Sequence, residues 1–195
     1  MYQNLFSPVQ HIRRPAVRGG GYCWLVFTPI ENVDIWPTTD PASGVAASEI
    51  VLKAGKTWYE AKMVDKDRFF NEAMQVNDAG HFWQQTVTGY IGGNNSNQTL
   101  NASVLPYHQY VLMLKDRDGQ VRLIGNEDSG ARLLIDYTSG DIDASRRRNF
   151  RWEWQHINPA SIYIGDLTAI ENDVIEPPFT GQGSFNNDFN NDFDI

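Results

Sequence analysis

The sequence predicts a mainly β protein: an antiparallel β-sandwich or barrel of about eight strands, with one short helix and an extended arm at each end. Three observations carry this. Short runs in which apolar and polar residues alternate recur through the middle of the chain, the period that puts every second side chain on one face of a sheet. Asp118-Gly119 stands between two apolar runs and supplies the turn chemistry of a tight hairpin. Six Trp, eight Tyr and ten Phe among 195 residues provide enough large buriable surface for a real core.

Residues 1–21 carry Pro8, Pro15 and Gly19-Gly20-Gly21 and read as a basic, extended N-terminal arm. A β domain follows over residues 22–165. Tyr22 to Thr28 is a short aromatic and β-branched run, hence a buried strand, and Cys23 within it reads as a buried, inert thiol. Residues 29–47, with Pro29, Pro37, Pro41 and Gly44, read as a long contact-making loop. In Lys56–Val64 a strand places Tyr59, Ala61 and Met63 on one face, with Trp58 on the polar side.

Asp67 to Met74 is read as the short helix, because Phe69, Phe70 and Ala73 fall near one helical face. His81–Ile91 alternates again, turning Trp83, Val87 and Ile91 inward, and Gly92 to Gln98 forms a turn or loop tip. Tyr107–Gly125 is the hairpin around Asp116-Arg117-Asp118-Gly119. Ala131–Tyr137 and Asn149–Ile157 complete the strands, the second with Phe150, Trp152 and Trp154 on one face. Residues 166–195 form an acidic C-terminal arm, in which Phe-Asn-Asn-Asp occurs twice before Phe193. Such a polar segment with spaced rings builds no core alone but can dock on a partner.

Charge is uneven along the chain. Formal net charge is −8, yet residues 1–24 hold Arg13, Arg14 and Arg18 with no acid, and residues 165–195 hold seven acids with no base. The arms are either two solvated tails or complementary contacts between copies, one basic and one acidic. No window approaches the run of about 18 apolar residues that spans a bilayer, and no apolar signal core follows the basic start, so a soluble, untranslocated protein is expected. A single cysteine agrees with a reducing compartment.

Signatures of chemistry are weak throughout. Gly55-Lys56-Thr57 lacks the first glycine and the helix of a phosphate-binding loop. Asp116-Arg117-Asp118-Gly119 lacks the ligand register of a calcium loop. His11, His81, His108 and His156 have no metal-ligand spacing, and no nucleophile elbow occurs. Trp152 and Trp154 around Glu153 read as core in preference to a sugar-stacking face. Arg146-Arg147-Arg148 with Arg151 is the one basic patch in the domain, assigned to a solvated or subunit-bridging turn. No catalytic, cofactor-binding or metal-binding residue is assigned, and no enzyme activity or cofactor is expected.

The segment from about Trp58 to Tyr163, through HFWQQTVTGYI, YVLMLKDRDGQVRLIGNEDSGARLLIDYTSGD and NFRWEWQHINPASIY, resembles tail-tube-like structural proteins of tailed bacteriophages of the Bacteroidetes phage and prophage type. The resemblance implies a non-enzymatic virion protein, a β-sandwich or barrel subunit forming homohexameric rings stacked into a tube that conducts DNA. It implies assembly in the host cytoplasm and contacts with itself, with other tail proteins and with genome DNA passing unbound, and no membrane. An acidic lumen would repel phosphate and let the duplex slide. The Phe-Asn-Asn-Asp tail departs from a minimal tube subunit, so a head–tail connector, terminator or baseplate-adjacent role stays open, and a carbohydrate-binding or adhesion module is the rival of another class. The candidate assembly contacts are Arg13, Arg14, Arg18, Asp40, Asn94, Asn95, Arg146, Arg147, Arg148, Phe185, Phe189 and Phe193.

Overall fold

A computed structural model describes residues 21–40, 43–64, 68–78, 80–92, 105–138, 147–172 and 174–175. Its strands in chain order are β1 (Tyr22–Pro29), β2 (Val33–Ile35), β3 (Thr39–Asp40), β4 (Val45–Ala46), β5 (Val51–Leu52), β6 (Trp58–Glu60), β7 (Phe69–Asn77) and β8 (Gly80–Gly92). After these come β9 (Gln109–Asp116), β10 (Val121–Ile124), β11 (Ala131–Thr138), β12 (Arg147–His156), β13 (Ser161–Tyr163), helix α1 (Thr168–Asn172) and β14 (Val174–Ile175). The protein is mainly β, as its sequence pattern predicts. Twelve strands form one sheet, while β2 and β5 make a separate pair. Pairing is antiparallel except for β13 with β4 and β14 with β6, so the large sheet is mixed.

The large sheet folds into two layers at β9. One edge of β9 is taken along most of its length by β1, whose partners run from Asp116 to Tyr110. The other edge is shared: β10 pairs with Leu112 to Lys115, and β11 takes over at Tyr110 and Gln109 before departing. Layer one is therefore β6-β1-β9-β10-β13-β4-β3, and layer two is β11-β12-β8-β7. Between them lies the main core, where Leu25, Phe27, Leu112, Leu114 and Ile124 face Val87, Leu133, Phe150, Trp152 and Trp154. Phe27 and Trp152 meet across it with ring centroids 5.6 Å apart.

Layer one is buried on its other face as well. Val26, Val111, Met113, Val121 and Leu123 form a second core with Val33, Ile50, Trp58, Tyr163 and Ile170. This second core corrects the expected polar placement of Trp58, which is only 2% exposed. Alternation in β6 does put Trp58 opposite Tyr59, but the face it occupies is a second interior. Ile170 belongs to the same core and β14 pairs with β6, so the folded domain continues through Ile175 instead of ending at 165.

Three further expectations are corrected. The helix expected over Asp67–Met74 is not formed at its described residues: Phe69–Asn77 is strand β7, Asp67 lies outside the described residues, and among these the α-helix is the five-residue α1. Phe69, Phe70 and Ala73 satisfy a helical stripe, but nine consecutive pairings with β8 decide the matter. Residues 29–47 are not one structureless loop; β2, β3 and β4 divide it, and β4 is fastened to β13. Cys23 is exposed, because a bulge between Tyr22 and Trp24 turns Tyr22 into the main core and pushes Cys23 outward.

The hairpin of β9 and β10 forms as its sequence requires. Gly119 adopts φ +88°, its N–H donates to Asp116 O at 3.0 Å, and Asp116 Oδ1 accepts from the N–H groups of Asp118 and Gln120.

Candidate assembly surface

Layer two is built from four strands in the spatial order β11, β12, β8, β7, each antiparallel to the next. Its inner face carries Phe150, Trp152, Trp154 and Val87, all buried. Registry across the strands fixes the outer face. One row runs Phe69, Thr88, Arg151, Leu134; the next runs Asn71, Thr86, Glu153, Arg132; another places Tyr90, Asn149 and Asp136 side by side. Amides, hydroxyls and a few charges thus cover this face. Arg151 Nε lies 3.1 Å from Glu153 Oε1, and Gln155 Nε2 donates to Gln84 Oε1 at 2.7 Å.

Both lateral edges of this layer are open among the described residues. β7 pairs with β8 alone. β11 pairs with β12 on one side and with β9 only through Ala131 and Arg132, leaving residues 133–138 without a partner strand on the other. Unpaired edges expose rows of backbone donors and acceptors that template another strand. Exposed apolar residues occur at the same places: of the eleven large hydrophobic residues exposed among the described residues, five, Phe69, Met74, Val76, Leu134 and Tyr137, lie on β7 and β11. Isolated exposed hydrophobics need no explanation; Ile35, Val51, Val64, Tyr107, Ile157 and Ile164 lie elsewhere, whereas the five on β7 and β11 share the two open edges.

Of the predicted contacts, Asp40, Arg147 and Arg148 are among the described residues, and they do not converge. Arg147 and Arg148 open β12 and so project to opposite faces. Arg147 lies 5.2 Å from the ring centroid of Tyr90, and Arg148, buried, lies 5.5 Å from that of Tyr137. The expected basic turn is therefore, at these two positions, a strand with its charge split between faces. Asp40 ends β3 on layer one, accepts a 2.6 Å bond from Ser43 Oγ, and lines a cleft of about 470 Å³ with Trp36, Glu127, Trp154 and His156. Arg13, Arg14, Arg18, Asn94, Asn95, Arg146, Phe185, Phe189 and Phe193 lie outside the described residues.

Sequence reasoning missed the open edges, since which strand ends a sheet is a property of long-range pairing. It located the aromatic strand correctly: Trp152 and Trp154 are 1% and 7% exposed, core residues rather than a sugar platform. His156 stacks on Trp154 at 4.7 Å, and His108 pairs with Glu31 at 2.8 Å. Among the described residues no three of His, Cys, Asp or Glu gather as metal ligands, and no helix is long and apolar enough to cross a membrane.

Electrostatic perturbation falls on three tyrosines, Tyr22, Tyr110 and Tyr163, and on Asp166. Burial holds the Tyr22 and Tyr110 hydroxyls protonated well above the ordinary phenol range, Glu31 adding to the effect at Tyr110. Tyr163 is raised chiefly by burial too. Asp166 is lowered because its carboxylate accepts the Thr168 N–H at the start of α1. None of these groups lies on the outer face of layer two. No family model, no curated protein and no solved structure matches the chain.

Proposed function

We propose that the protein is a non-enzymatic structural subunit that closes into rings through layer two, serving in a phage virion as a tail-tube subunit around a DNA-conducting channel. The observation that carries this reading is the pair of open, apolar-flanked edges at opposite sides of one four-stranded layer. β7 and β11 run antiparallel to each other, because three antiparallel pairings separate them. A neighbour rotated about a ring axis thus offers its β11 to this copy's β7 in antiparallel sense. Such a contact is head-to-tail and closes when the rotation closes.

The dimensions suit a conduit. Six copies contribute roughly 24 strands, more than the 16–18 that already enclose a water-filled channel. At about 4.8 Å per strand and a tilt near 40°, the barrel measures about 45–50 Å between backbones. The face turned to the channel is the polar outer face of layer two. Its described ionic residues are Arg132, Arg147 and Arg151 against Asp136 and Glu153, so the lining on this reading is nearly balanced in place of acidic. Hydroxyl and amide groups with few fixed charges give passing phosphate little to hold.

On this proposal, which the resemblance in strand and turn pattern supports, the rings stack on one another in a tail assembled in the host cytoplasm and join other tail proteins. Negative-stain electron microscopy with light-scattering mass on the full-length protein tests the proposal. Rings or tubes with an open centre are expected. A monomer at every concentration and salt tested contradicts it.

A further inference from the structure

The cleft beside Asp40 has no part in the ring seam, and its chemistry points to a different ligand. One wall is the stack of Trp154 and His156, whose planes are 8° from parallel; Trp36 supplies a further aromatic surface. Asp40 and Glu127, both exposed, bring two carboxylates to the same opening, and among the described residues no lysine or arginine lines it. Glu127 makes no ion pair among the described residues. Aromatic faces beside carboxylates select a planar cation: a guanidinium stacks on the rings while its fork of N–H groups binds the carboxylate oxygens. Trp154 itself is 7% exposed and its indole N–H is given to Ser129 Oγ at 3.0 Å, so the ring surfaces left to a ligand are Trp36 and the face of His156 turned away from Trp154.

The chain itself carries the matching segment. Residues 1–21 contain Arg13, Arg14 and Arg18 and no acid. Arg14 is seven residues before Gly21, so an extended arm carries it up to about 23–25 Å from the start of the described chain. We infer that this cleft is a guanidinium-binding site occupied by an arginine of the N-terminal arm. The site is separate from the β7 and β11 edges, and its occupancy does not depend on whether rings form.

Zero-length carbodiimide coupling tests this on the full-length protein carrying Arg13→Lys, Arg14→Lys and Arg18→Lys, which keep the charge and add amines that couple to carboxylates in contact. Mass spectrometry of the digest should find an arm lysine joined to Asp40 or Glu127. Combining these changes with Asp40→Asn and Glu127→Gln, both exposed and therefore compatible with folding, should abolish that product. Trp36→Phe should retain it and Trp36→Ala should diminish it, with melting temperatures recorded alongside. Arm lysines coupled only to acids elsewhere overturn the inference, and so do arm arginines, left unsubstituted, that a dicarbonyl reagent modifies at the same rate with and without Asp40→Asn and Glu127→Gln.

Discussion

The two layers of this sandwich are written differently and do different things. In β9 of layer one, Tyr110 to Leu114 are all 1% exposed or less, because both faces of the strand are interior. In β12 of layer two, buried Phe150, Trp152 and Trp154 alternate with more accessible Asn149, Arg151 and Glu153. A continuous apolar run thus marks the scaffold, and strict alternation marks a layer with a face left for something else. Layer one holds the fold together, whereas layer two carries one core face, one polar face and, among the described residues, two open edges.

That contrast is broken most severely from the inner face of layer two. Trp152→Ala should cost about 3–5 kcal/mol, while Arg151→Ala, its outward neighbour, should stay within about 0.5 kcal/mol; urea unfolding of the pair measures both. Gly119→Val, in layer one's hairpin, should cost about 1–2 kcal/mol, since a β-branched residue is strained at positive φ. An unchanged unfolding midpoint there would show that the turn has another geometry.

Alkali sharpens the comparison at Tyr22, which joins the layers by donating its hydroxyl to Thr88 O at 3.1 Å. Its folded pKa is raised from the ordinary 10.0, so its contribution is fully present below pH 10 and is lost as pH climbs toward the raised value. Melting temperature should fall above pH 10, and Tyr22→Phe should flatten that fall while costing about 1 kcal/mol at neutral pH. Smallest in scale, Gln85→Met should stabilise by about 1 kcal/mol, because the Gln85 amide is 1% exposed and neither its nitrogen nor its oxygen is hydrogen-bonded among the described residues. A loss of stability in chemical denaturation would show that the amide has partners.

Legibility followed locality. The β9–β10 hairpin was readable because Asp118-Gly119 punctuates it, and the inward set of β12 because Phe150, Trp152 and Trp154 recur with period two. β7 was misread because two adjacent Phe and a nearby Ala fit a helix as well as a strand, and its only strand partner among the described residues, β8, decides between them. The exposure of Cys23 depends on a bulge against β9, some ninety residues away in sequence. Trp58 turned inward because Ile30, Val33, Trp36, Ile50, Leu52 and Ile170 of α1 roof the second face of layer one, which alternation within β6 cannot reveal. The proposed assembly surface is the extreme case: arginines and asparagines were nominated by residue type, yet open edges exist only once every other pairing is made.

Hydrogen exchange on β7 and on residues 133–138 of β11, followed as protein concentration is raised, tests the edge-pairing account most directly. Outward-facing amides of both strands should exchange quickly in the dilute protein and become protected together as rings form. Rings that assemble while both strands exchange at the dilute rate would place the seam elsewhere and contradict the account.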